Sequence, residues 1–525
     1  MSASGFSITT KDQNHSEGAS CLQVAILIAI LLFALVIRSY GLDATSLWTD
    51  EIMTAGRVSG SLGDVLHGLD DSSPFPPLYY FIVKLFTSVL GVNEVSLRLP
   101  SMIFSVLGVF AVYRLGVLLF GVRAGLIAAL LTSISTYNIH YAQEAKMYAQ
   151  LWFFALITFY YFILWLKTRK PAHLLIYAIA TELSLYTSYH GFIYWGLQNL
   201  FFVAYSIKER RHIPQYWWAA QVAILLLFSP WLPRMLFQLA DHRGIGWVPP
   251  INTQSQYYYF FRVLFLRSLD LRPWEWEFPY PHTSPLPFFI CAQILMYAAL
   301  IPAAFFKVVK THHPIPLSSD THLGEALLLL WTVGTLILFA LMNVFYHPVL
   351  VDRYLGFIHL PIFLLLSKSI SRLLVPIRTA VLTFILTMAA VSSLTSYLHP
   401  HAKMNGQNWR ELGQLVQKGD CAHSVIVVSQ ELHGHASRDF YALFNLGFFQ
   451  YNNCFKDMVS EYMVETGAYT LSQESIYYLV LRGDDTEPQP DLWKDFKLTA
   501  HYTFPQMTVV EYQPKQDSAV GSPTH

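Results

Sequence analysis

Apolar runs of about twenty residues recur along the chain, with short polar connections between them. A run of that length crosses ~30 Å of hydrocarbon as a helix. Runs near 22–42, 98–119, 122–138, 149–166, 172–189, 192–206, 216–234, 285–306, 323–345, 354–371 and 378–397 predict about eleven membrane-spanning helices. The first is read as an uncleaved helix, because the residues before it are polar and no small-x-small site closes it. Residues 77–92 are apolar but short, and carry Lys84. If they spanned, every later connection would change sides, so they are read as a juxtamembrane or re-entrant piece of a loop. One further pair of spans elsewhere would leave the sidedness intact and give thirteen.

Sidedness follows from Lys and Arg, which cytoplasmic loops retain. Basic connections hold Arg114 and Arg123; Lys167, Arg169 and Lys170; the run 208–212; Lys307 and Lys310; and Lys368, Arg372 and Arg378. The alternate connections carry acids, His and aromatics. This places 1–21 in the cytoplasm, a membrane domain over 22–398 with external loops at 43–97 and 237–284, and 399–525 outside. The last segment changes character. A helical stretch (408–417) and two β-branched runs (423–430, 475–483) predict a small α/β domain. Its Cys421 and Cys454 fit a disulfide in an oxidising compartment, and equally two unpaired buried thiols. The predicted fold class is a polytopic α-helical membrane protein with a small C-terminal extracytoplasmic α/β domain.

Composition agrees. The chain is 54% hydrophobic and 13% charged, against about 25% charged in soluble proteins. Its formal net charge of zero gives no reason to expect nucleic acid as a partner; membrane lipids are the expected surroundings. No P-loop, GxGxxG or zinc-type CxxC pair is present.

Three external clusters carry candidate chemistry. WTDE, 48–51, follows the first span and opens a short helix, DEIMTAGRV. Acids at a helix N-terminus cap free N–H groups. A carboxylate at a membrane boundary also demands solvation or a partner. Neighbouring helical residues point ~100° apart, so Asp50 and Glu51 can do different things. Asp50, Thr54 and Arg57 share one face. In HYAQEAKMYAQ, 140–150, helical spacing puts Tyr141, Glu144 and Tyr148 on one face, with His140 four residues before Glu144 and Lys146 directed elsewhere. An interfacial aromatic belt explains the tyrosines but not the clustered Glu, Lys and His. VDRYLGFIHLP, 351–361, places Arg353 at the start of a late span, where a guanidinium either snorkels or offers a fork suited to phosphate.

The order W-x-DE, PPLYYF, LRLPSMIF, G-x-R, YAQEAKMYA and DRYLGFIHLP resembles the GT-C-type polytopic glycosyltransferases over roughly residues 20–400. The branch it is similar to contains the bacterial aminoarabinose transferase, the protein O-mannosyltransferases and the rhizobial galacturonosyltransferases. The resemblance implies a sugar donor carried on polyprenyl phosphate, a lipid, glycan or protein acceptor, and inverting displacement on the external side. It assigns the general base to Asp50, with Glu51 as its neighbour, and makes Glu144 the second-loop acid. Arg353, beside Tyr354, is the first candidate to hold the donor phosphate, with Lys146 and Arg98 after it. Trp48, Tyr79, Tyr141 and Tyr148 are candidates for a sugar or lipid groove, against core or interface packing as the more ordinary role for any one of them. Metal use varies across this group. No His-rich ligand set is visible, so no essential metal is expected, although a divalent cation stays open.

The chain departs from the family where a polar residue commonly precedes the Pro-Pro pair. Phe75 stands there, leaving Asp70, Asp71 or Ser73 to supply the contact or merely to solvate the loop. The aromatic stretch 256–281 fits a segment lying on the membrane, as a cover for the donor or as an anchor. The sequon at 14–16 falls on the cytoplasmic side, and the external loops have none, which favours a bacterial inner membrane. The rival reading is a transporter or flippase for a lipid-linked sugar. It predicts internal repeats and interrupted midplane helices, and neither is visible.

Overall fold

The computed structural model describes residues 20–71, 75–208, 210, 213–240, 295–296, 298–303, 319–349, 352–398, 410, 414–415, 418, 423–428, 457–460, 470, 475–482, 493–504 and 507–515. The expected disulfide at Cys421 and Cys454, most of the loop 237–284 and most of the span 285–306 lie outside these residues, as do 411–413 of the tail helix.

The described chain is mostly helical. Helix α1 (Cys21–Ser39) begins at a capping box formed by Ser20 and Gln23. Its buried stripe, Leu27, Ile30, Ala34 and Arg38, repeats at three and four residues, while Leu22, Leu32 and Val36 face outward. The first connection holds α2 (Thr49–Ser59), α3 (Leu62–Asp71) and α4 (Leu78–Leu90). Helix α4 has 13 residues, or about 20 Å at ~1.5 Å per residue, which falls short of the hydrocarbon thickness. Then come α5 (Glu94–Phe120), α6 (Val122–Ile134), α7 (Thr136–Ala142), α8 (Tyr148–Thr168), α9 (Pro171–Leu185) and α10 (Gly191–Lys208). Helices α5 and α6 cross at a glycine pair. A Cβ on Gly116 would lie 2.8 Å from the Gly125 Cα, so no larger residue fits without parting the helices.

Two predicted spans are bent rather than straight. Helices α6 and α7 meet at 62°, and α11 (Gln215–Phe228) and α12 (Leu232–Ala240) at 72°. At the first bend the Ser135 hydroxyl leaves the helix ladder to cap α7, accepting from the Asn138 N–H. Among the described residues five helices are long and apolar enough to cross a membrane, or seven if each bent pair is one span. The late span Leu323–Phe345 contains a π-helical turn at Leu330–Gly334. Trp331 in that turn stacks on Phe159 of α8, with centroids 3.8 Å apart.

Near the C-terminus a five-stranded mixed sheet runs in the order β2-β1-β3-β5-β4. Strands β1 (Ser424–Val428) and β3 (Ile476–Arg482) are the two β-branched runs read from the sequence, and they pair in parallel. Strands β2 (Asp457–Ser460), β4 (Phe496–Phe504) and β5 (Met507–Pro514) complete it.

Candidate active site

Helix α2 starts at the first acid pair, and the two carboxylates diverge. Glu51 turns inward, with 0% exposure, and takes a two-pronged contact from Arg98 of α5: Nε at 2.8 Å and an η nitrogen at 2.6 Å. It also accepts the Ala145 N–H at 2.8 Å and, at 3.4 Å, the Trp48 N–H, as an acid in a first helical turn can. The remaining Arg98 donors go to the carbonyls of Leu42, Thr45 and Ser46. All five guanidinium N–H groups are thus engaged. Arg98, named above as a phosphate candidate, thus clamps the 42–51 segment in this structure.

The second loop is held against α2 through its backbone. Helix α7 stops at Ala142 and α8 begins at Tyr148, so the continuous helical face expected over 140–150 is broken. The break frees peptide groups for other partners. Thr54 donates its hydroxyl to the Ala145 carbonyl (3.0 Å), and Ser101 donates to the Lys146 carbonyl (2.9 Å). The Tyr79 hydroxyl is 2.9 Å from that of Ser101. Tyr79 therefore braces the loop from a buried position. Tyr141 and Tyr148 still meet, edge to face at 5.1 Å, and Tyr141 also packs on Trp152.

The loop presents Glu144 and Lys146. Glu144 is only 3% exposed, faces His140 Nε2 at 3.8 Å, and makes no hydrogen bond among the described residues. Burial pushes its carboxyl up to about 8, reinforced by Asp50 and Glu51 and opposed by Arg353 and Lys146. The Lys146 ammonium lies 5.9 Å from the centre of the Phe75 ring.

The late turn supplies the remaining cation. Asp352–Leu355 forms one helical turn, followed by a 3-10 turn at Gly356–Ile358 and the helix His359–Arg372. Arg353 donates to Asp50 Oδ2 at 2.7 Å, the two side chains being 17% and 22% exposed. Burial pushes the Asp50 carboxyl up. Lys146, Arg353 and Arg57 outweigh it and hold the acid below its ordinary range. Gly356 permits this approach, because a Cβ there would lie 2.4 Å from Trp152 and 2.5 Å from the Tyr137 hydroxyl. His359 fastens the turn from below, bonding the Gly356 carbonyl and facing Asn138 Oδ1 at 3.0 Å.

The structure thus brings together Asp50, Glu144, Lys146, Arg353 and Tyr354 from three segments, with Glu51 and Arg98 beneath them. Trp48 is half-buried at the start of α2. Asp70, Asp71 and Ser73 have no described side chains. His190, between α9 and α10, was missed. Its ring packs 5.0 Å from Tyr354 and 5.9 Å from Phe339, and its Nδ1 is 2.9 Å from the Ser188 hydroxyl. The polar run TSYH between two apolar stretches was the available signal. Arg410 of the tail reaches the same end of the bundle, bonding Glu94 and the Asp43 carbonyl. Among the described residues no three His, Cys, Asp or Glu side chains are grouped to hold a metal.

Residues 74–233 match the sequence model of the dolichyl-phosphate-mannose-protein mannosyltransferases. No curated protein sequence matches the chain. Among solved structures, ArnT from Cupriavidus metallidurans in the apo state superposes with a TM-score of 0.58 at 12% identity, covering 93% of this chain and 98% of that one. The same protein bound to undecaprenyl phosphate gives 0.54 at 13% identity, covering 96% and 100%. The oligosaccharyltransferase of Archaeoglobus fulgidus gives 0.47 at 12% identity, covering 94% and 75%. The chain therefore has the GT-C-type fold that its motifs resemble.

Proposed function

We propose that this chain is an integral-membrane glycosyltransferase that moves a sugar from a polyprenyl-phosphate donor to an acceptor hydroxyl at the extracytoplasmic face of a bacterial inner membrane. The observation that carries this reading is the Asp50–Arg353 contact at 2.7 Å, with Lys146 and Glu144 beside it, on loops at one end of the bundle. That a structural neighbour binds undecaprenyl phosphate supports the donor class.

In this reading Asp50 accepts the proton of the acceptor hydroxyl as its oxygen attacks the anomeric carbon. The bond from that carbon to the phosphate oxygen breaks, the phosphate leaves with the electron pair, and the configuration inverts. A departing phosphate gains charge, which calls for preorganised cations; Arg353 and Lys146 are the cations at hand. Glu144 is protonated at neutral pH and donates a hydrogen bond to the sugar or acceptor. Glu51 and Arg98 hold Asp50 in place. Purified chain offered a panel of polyprenyl-phosphate sugars, with acceptor lipids and glycans from a deletion strain, should yield a product heavier by one sugar residue. Movement of the donor across vesicles with no glycosylated product would indicate a flippase instead.

A further inference from the structure

The Asp50–Arg353 contact poses a problem for the mechanism it supports. A base in an ion pair is a poor base, and a guanidinium bound to a carboxylate is not available to phosphate. Arg353 reaches Asp50 through a terminal η nitrogen at 2.7 Å, and both groups retain some exposure. The pair is therefore accessible to a ligand. The Glu51–Arg98 pair beneath it is sealed, since Arg98 has every donor engaged and Glu51 is 0% exposed.

We infer that Arg353 is an exchangeable partner, shared between the base and the donor phosphate, so that donor binding draws it off Asp50 and releases that carboxylate for proton transfer. This rests on the donor reading above. The exchange follows the charges through the reaction. The donor is a phosphodiester monoanion. As its bond to the anomeric carbon breaks, it becomes a monoester that carries more negative charge. In the same step Asp50 takes the acceptor proton and becomes neutral. Arg353 is then drawn from the neutralised Asp50 towards the leaving group. Its attraction to the phosphate grows as the transition state is approached, which is the kind of interaction that accelerates the step rather than only tightening binding. Lys146 also acts on Asp50, and its charge offsets part of the carboxylate's when Arg353 turns to the phosphate. The same carboxylate competes with phosphate in the resting enzyme, which weakens hold on the spent polyprenyl phosphate and favours its release.

The test is the sign of one mutation on product affinity. A prenyl monophosphate is titrated calorimetrically into the detergent-solubilised full-length chain at fixed ionic strength, with the matching prenyl alcohol as control. Exchange predicts that Asp50→Asn, though inactive, binds the monophosphate more tightly, on the order of tenfold, within the coupling range of contacting charges. The alcohol should bind both forms equally. In an Arg353→Gln background the gain from Asp50→Asn should largely vanish. If that variant misfolds, Arg353→Met, which keeps much of the side-chain volume without the charge, takes its place with the same expectation of a diminished gain. Unchanged or weaker phosphate binding in Asp50→Asn overturns the exchange. A gain that persists undiminished without Arg353 also overturns it, because it reports direct carboxylate–phosphate repulsion. A wild-type chain that binds no prenyl phosphate overturns the donor reading as well.

Discussion

Replacing Glu51 with Ala separates support from catalysis. Glu51 holds Arg98 through contacts of 2.6 and 2.8 Å and accepts the Ala145 N–H at 2.8 Å. Neither side chain of the pair reaches solvent to any extent, at 0% and 1% exposure. Removing one partner of a buried ion pair leaves an uncompensated charge, which costs about 3–5 kcal/mol. The orphaned Ala145 N–H adds to this, at about 1–3 kcal/mol for a buried unsatisfied donor, less whatever water recovers. Arg98→Met should cost a similar amount for the converse reason. The double variant Glu51→Ala/Arg98→Met should be less damaged than the two losses added, since no buried charge remains. It does not return to wild type, because the Leu42, Thr45 and Ser46 carbonyls lose their donor. SDS-titration unfolding of the purified proteins reads all three. A Glu51→Ala protein within about 0.5 kcal/mol of wild type but devoid of transfer would refute the reasoning and move Glu51 into the chemistry.

Three further outcomes follow. Glu144 is raised to about 8, so the folded chain keeps a proton that the unfolded chain releases near ~4.3. Its contribution to stability therefore falls as pH rises between those values; Glu144→Gln should remove that decline and be the more stable form at pH 9, as read from unfolding midpoints against pH. Gly356→Ala forces a methyl against Trp152 and Tyr137, which should cost about 1–3 kcal/mol and lower kcat by displacing Arg353. Arg410→Ala breaks a part-exposed contact with Glu94, for which about 0.2–1 kcal/mol is expected. The chain should stay folded, with faster proteolysis of the tail as the readout.

Much of the architecture was legible because a membrane span announces itself by length and apolarity. The bends were not. The break at Ser135 comes from one hydroxyl capping a new helix, with no proline to mark it. Arg38 shows the same limit. It stands near the end of an apolar run, yet it lies buried, bonded to Ser105 and to the carbonyls of Thr132 and Ser133. At the site, helical geometry predicted that the Asp50 and Glu51 side chains diverge. It did not predict their partners. Arg353 was the first phosphate candidate and Arg98 a later one, and packing across 303 and 47 residues of sequence leaves the first part-exposed and makes the second a sealed clamp. Nor did the sequence reveal that the Tyr79 hydroxyl meets Ser101.

The central claim is that Asp50 is the base of a sugar transfer. Its most direct test is the transfer rate of Asp50→Asn in purified, folded protein, measured as labelled sugar moved from a polyprenyl-phosphate donor to acceptor. The asparagine keeps the shape and loses the proton acceptor, so the rate should fall by at least about 10²-fold, the scale of general-base assistance, with the unfolding midpoint little changed. A rate equal to wild type would contradict the assignment.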